Sequence, residues 1–104
     1  MDRSDVIYLI GTTQTQDENG VWHPTTTRRK VFARRGSVTR AEFFEAGRNG
    51  LNPQYVFNVF FGNYQGEEVV EYNGKTYSVY RTYQDSDDNL EIYVERKGGT
   101  NGYT

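Results

Sequence analysis

EEVVEYNGKTYSVYRTY, residues 67–83, decides the fold. Asn73-Gly74 at its centre is the strongest short-range signal for a β-hairpin, because a type I′ turn needs positive φ at both central residues and Asn and Gly tolerate it. That turn sets Tyr72 opposite Lys75 and Val70 opposite Tyr77. One face of the pair then collects Val70, Tyr72, Tyr77, Val79 and Tyr83, and the other shows Glu71, Thr76, Ser78 and Thr82. Such alternation is what a half-buried antiparallel pair requires.

Working outward, DSDDN (85–89) reads as the next turn and LEIYVERK (90–97) as a closing strand with Leu90, Ile92 and Val94 on one face. GGTNGYT (98–104) is expected to be a flexible tail. Upstream, DVIYLIGTT (5–13) reads as a strand, QDENG (16–20) as a polar turn, and residues 21–36 as a second long extended stretch. Pro24 cannot donate a ladder hydrogen bond, so that end belongs on an edge or at a bend. Five or six short strands separated by turns predict a single mainly-β domain over residues 1–97, a small barrel or sandwich.

SVTRAEFFEAGRNGLNPQYVFNVFF (37–61) breaks the strand pattern. Thr39 with Glu42 fits a capping box, and a helix can run through RAEFFEAGR to stop at Gly47 or Gly50. At two to three turns it is marginal without packing. Its two glycines and the Asn52-Pro53 step read as points of looseness. QYVFNVFF follows as a strand with Val56 and Phe60 on one face and Phe57, Val59 and Phe61 on the other. Apolar groups on both sides imply burial on both sides, or a patch awaiting a partner.

With 104 residues, 35% apolar and 15% aromatic, and a mean hydropathy of −0.87, the chain has a thin margin for folding alone. Nine tyrosines suit surfaces that stay wet until a partner arrives, so oligomerisation is expected. Net charge is −2, but unevenly placed. Residues 1–50 carry eight Lys/Arg and six Asp/Glu; residues 51–104 carry four and eight. Arg28, Arg29, Lys30, Arg34, Arg35 and Arg40 have no acid among them, and such segregation lets one face of a subunit attract the opposite face of its neighbour. The alternative is a solvated strand edge guarded by charge. The absence of cysteine excludes disulfides and thiolate zinc sites and fits a reducing cytoplasm. No signal peptide or membrane-spanning stretch is visible, so a soluble intracellular protein is expected.

The chemistry-bearing residues are few. His23, the only histidine, sits beside Pro24 with no nucleophile in a recognisable setting. Glu42 and Glu45 fall on one helix flank, but the first is explained as a cap and the second as a solvated residue. Asp85-x-Asp87-x-Asn89 matches the first ligands of a calcium loop, yet Leu90 replaces the required glycine and Arg96 the closing glutamate. No catalytic, metal or cofactor site is therefore expected. A small barrel of OB-like type with exposed tyrosines and an arginine-rich strand could instead bind single-stranded nucleic acid; the sequence pI of about 5.3 and the acidic hairpins argue against it.

QDENGVW, RRKVFARRGSVTRAEFFEAG, GLNPQYVFNVFF, EEVVEYNGKTYSVYRTYQ and LEIYVERK, taken in order, resemble the head–tail joining proteins of tailed bacteriophages, also called head-closure or stopper proteins. The resemblance runs from about residue 6 to 97. It implies a compact β-barrel with an inserted segment, here about 37–55, acting without enzymatic activity. Copies would form a ring below the portal and its adaptor, retain the packaged double-stranded DNA and present the docking surface for the tail. Such a protein would sit in the host cytoplasm during assembly and afterwards in the virion neck, with no membrane partner. On this reading Phe43, Phe44, Leu51 and Tyr55 are the expected inter-subunit contacts, and the six cations of residues 28–40 face an acidic neighbour or DNA.

Overall fold

The computed structural model describes residues 4–96; the tail expected at 98–104 lies outside them. Strands β1 (Asp5–Gln16) and β2 (Trp22–Gly36) lead into helix α1 (Arg40–Arg48), then β3 (Pro53–Phe60) and a 3-10 turn (Phe61–Asn63). Strands β4 (Val69–Tyr72), β5 (Lys75–Gln84) and β6 (Asn89–Glu95) complete the chain. The six strands close an antiparallel barrel in the order β1-β2-β3-β6-β5-β4, with β4 pairing back on β1. The expected small mainly-β barrel with one inserted helix is the fold.

The hairpin that motivates the fold forms in the expected register, Tyr72 opposite Lys75 and Val70 opposite Tyr77. Asn73 and Gly74 both take positive φ, 52° and 79°. Inside the barrel, Ile7, Leu9, Phe57, Val59, Val70, Ile92 and Val94 are fully buried. Phe57 and Tyr55 meet Tyr72 edge-on, with ring centroids 5.2 and 5.7 Å apart. Large aromatic rings let so short a chain fill a six-stranded interior.

Two face assignments are corrected. Tyr83 was expected inside with Val79, but it is 54% exposed. The β5–β6 register slips between Val79 and Arg81, a bulge at Tyr80 that transfers Arg81 and Tyr83 to the outer face opposite Tyr93 and Glu91. Phe61 was expected to continue the Phe57/Val59 face, but β3 ends at Phe60 and both phenylalanines are about half exposed.

Strands β1 and β2 outlast the barrel. They stay paired from Asp5 opposite Ala33 to Gln16 opposite Trp22, and residues 12–26 are exposed on both faces. The result is a two-stranded arm whose Thr and Gln side chains have no apolar face to bury. The Thr15 and Thr25 hydroxyls meet across it at 2.8 Å. At its tip Asp17 Oδ1 accepts from the amides of Asn19 and Val21, both at 2.9 Å. Asp17 Oδ2 lies 2.7 Å from His23 Nε2. Pro24, opposite Gln14, sits in this arm, where its missing donor costs nothing.

Candidate interaction surfaces

Helix α1 begins as the capping residues dictate. The Thr39 hydroxyl accepts from the Glu42 amide at 3.1 Å. The Glu42 carboxylate does not close the capping box. It turns toward the barrel, where Arg81 Nη2 donates to Oε1 at 2.7 Å and Arg81 Nε to Oε2 at 3.2 Å. The Tyr80 hydroxyl adds a third bond, to Oε2 at 2.8 Å. Arg81 in turn stacks over Tyr93, 3.9 Å from the ring centre. The bulge at Tyr80 is what aims these two consecutive side chains at the helix. Arg81's hydrogen bonds hold the Glu42 carboxyl below the usual carboxylate range, outweighing its partial burial.

The other end of the helix is equally tied. Gly50, at φ 80°, donates to Gly47 O at 3.1 Å, and Leu51 N to Ala46 O at 3.1 Å. This is the Schellman arrangement that glycine allows at a helix end. Asn52 is then pinned to β6: its amide donates to Glu95 Oε1 at 3.1 Å, and the Arg96 amide donates to Asn52 O at 3.2 Å. The looseness expected from Gly47, Gly50 and Asn52-Pro53 is thus replaced by closed hydrogen bonding. Ala46 is the buried helix residue, and α1 lies against β3.

On this fixed support Phe43 and Phe44 are 47% and 58% exposed, their rings edge-to-face with centroids 6.1 Å apart. They do not enter the barrel core. Leu51 is half-buried and serves the helix stop. Tyr55, expected with them as an inter-subunit contact, belongs to β3 and packs, partly buried, on the core rings of Phe57, Tyr72 and Tyr77.

The cationic stretch divides by strand alternation. Arg29 and Arg35 share the inward face of β2 with Val31 and Ala33, and lie at opposite mouths of the barrel. Arg29 Nη2 donates to Glu67 Oε2 at 2.6 Å, with Glu67 itself buried. Burial pushes the Glu67 carboxyl up, but hydrogen bonds from Arg29 and the Gln65 amide outweigh it and leave it below the ordinary value. Arg35 lies 5.3 Å from the Tyr55 ring and 3.5 Å from the Tyr72 hydroxyl. On the outer face Arg28 pairs with Glu71 at 3.2 Å and covers Tyr8 at 3.6 Å. Of the six cations expected to face a neighbour or DNA, Arg28 and Arg29 each pair with an acid of their own chain. Among the described residues, Lys30, Arg34 and Arg40 make no ion pair.

Between the arm and the 64–69 loop lies an open groove of about 340 Å³ lined by Gly11, Thr13, Thr27, Gln65 and Glu67. Of its two carboxylates, Glu67 and Glu68, the first is committed to Arg29. No group of three or more metal-ligating side chains occurs among the described residues, and no helix among them is long and apolar enough to cross a membrane.

The surfaces missed by sequence reasoning are the Tyr80–Arg81 anchor and the arm tip, where Val21 and Trp22 are 50% and 61% exposed. Trp22 next to the QDENG turn was the available signal for the second. No protein-family model matches the chain, and no curated protein matches it.

Proposed function

We propose that the chain is a structural, non-enzymatic protein of the phage neck, forming a ring that closes the DNA channel after packaging and receives the tail. The observation that carries this reading is the contrast within α1. The helix is capped at both ends and joined to the barrel through Glu42, yet it offers two phenylalanines to solvent. Exposed aromatics on a rigid support mark an interaction surface rather than a misplaced core. The arm and the helix follow from opposite ends of β2, so one subunit has two unlike surfaces, as a heterologous ring contact requires. Its partners would be further copies of itself, the portal and adaptor, tail proteins and packaged double-stranded DNA. It would work in the host cytoplasm during assembly and in the virion neck afterwards.

The test is a Phe43→Ala/Phe44→Ala double variant introduced into the phage. The protein should fold normally, while heads lose DNA or fail to join tails. Normal virion yield would sink the assignment. A second reading, an OB-like module for single-stranded nucleic acid, is favoured by one observation: Phe32, 55% exposed, stands between Lys30 and Arg34 on the outer face of β2. Tight, salt-sensitive anisotropy changes with single-stranded oligonucleotides would move the conclusion to it.

A further inference from the structure

We propose that the tip of the β1–β2 arm docks on the Lys30–Phe32–Arg34 row of a second copy of the chain. The inference rests on the ring reading and names the contact that would build the ring.

Charge is the first argument. Residues 4–27 contain Asp5, Asp17 and Glu18 and no Lys or Arg, whereas residues 28–41 contain six Lys/Arg and no acid. With Asp17 engaged by His23 and two amides, the tip presents Glu18 beside Val21 and Trp22, and the row its cations beside Phe32. Among the described residues, neither Lys30 nor Arg34 is matched by an acid, although Arg28 and Arg29 are. Lys30 Nζ instead lies 5.4 Å over the Phe32 ring. Trp22 against Phe32, flanked by opposite charges, is an aromatic anchor with a polar rim.

Geometry is the second. Trp22 and Phe32 lie on one continuous strand, held in register with β1 from end to end. At about 3.3 Å per residue they are roughly 33 Å apart, and a paired strand cannot fold back on itself. The tip cannot reach its own row. A contact between them must join two subunits. Passed from copy to copy it is the heterologous arrangement that closes into a ring or runs on as a filament, whereas reciprocal exchange would stop at a twofold dimer.

Because the chain has no cysteine and one tryptophan, the test is clean. Val21→Cys places a thiol at the tip and leaves Trp22; Val6→Cys places one across the ladder from Phe32. Mixed full-length single variants should cross-link as heterodimers through a short bis-maleimide, and the double variant should yield a ladder of trimers and above. Trp22 emission should shift to the blue as protein concentration rises. Glu18→Lys should weaken association at least tenfold, and Arg34→Glu in the same chain should restore it. Oligomers without the Val21–Val6 cross-link would overturn the docking and leave the ring reading standing. No oligomer up to about 1 mM, a contact weaker than about 4 kcal/mol, would overturn both. Protection of the Val6→Cys thiol by a single-stranded oligonucleotide, with no mixed cross-link, would overturn the docking and assign the row to nucleic acid.

Discussion

Arg81 holds Glu42 through two hydrogen bonds, 2.7 and 3.2 Å long, and thereby fastens the inserted helix to a bulged strand of the barrel. The pair has consequences for pH. The folded state depresses the Glu42 pKa, so its contribution is present above the ordinary carboxylate value and lost as pH falls through the lower folded one. Arg81 is 42% exposed, which limits the gain to about 1 kcal/mol. Glu42→Gln should therefore lower the urea midpoint at pH 7, and the difference from the parent should vanish below the folded pKa. Unchanged stability at pH 7 would show that the Glu42–Arg81 pair adds nothing to the hold that Ala46 and the Asn52 bonds to β6 already give. Glu45→Gln should be silent, since the exposed Glu45 carboxylate meets exposed Arg48 at 3.4 Å.

The two kinds of phenylalanine should separate sharply. Phe57 is fully buried, and Phe57→Ala should cost about 3–5 kcal/mol. Phe43→Ala and Phe44→Ala should each stay within about 0.5 kcal/mol of the parent, because both rings face water. Denaturant titrations of the three variants decide the matter. A loss of several kcal/mol at Phe43 would place that ring in the core.

What was legible in the sequence depended on local chemistry. Asn73-Gly74 set a hairpin, Leu90/Ile92/Val94 a buried face, and Thr39 a helix start, each within a few residues. The destination of Glu42 was not legible, because Arg81 lies 39 positions away and points at the helix only after the bulge at Tyr80. The same bulge moved Tyr83 outward. The row of arginines looked like one basic surface in sequence. Strand alternation splits it, sending Arg29 to buried Glu67 and leaving Lys30 and Arg34 outside. The arm's strands and turn were legible at 5–13, 16–20 and 21–36. That they run on beyond the barrel was not, because a polar pair in free solvent has no apolar face to mark where it leaves the core.

Arg29 and Glu67 form the ion pair at the arm's root, with Glu67 6% exposed. Removing one partner of such a pair leaves a buried charge. Arg29→Met should cost on the order of 3 kcal/mol, and Arg29→Met/Glu67→Leu should recover much of it. Equal losses in the single and double variants, measured by chemical unfolding, would mean that the arginine contributes packing alone.

The last prediction concerns alkaline pH. Burial raises the pKa of Tyr64, Tyr77, Tyr80 and Tyr93, and the Glu91 carboxylate helps to push Tyr93 to about 12. Tyr80 rises for the same reason, since its hydroxyl donates to Glu42 and its ionised form would face that carboxylate. A phenol whose folded pKa lies above 10 favours the native state while protonated. That contribution is full below pH 10 and is lost as pH rises through the folded values. Spectrophotometric titration should therefore show two populations, the second ionising only as the barrel unfolds. Tyr80→Phe should weaken the helix anchor, because it removes the donor to Glu42 while keeping the ring. It should also delete one late-titrating group. A single titration near pH 10 with no accompanying unfolding would contradict the packing of Tyr80 against the helix carboxylate and of Tyr93 against Glu91 and Arg81.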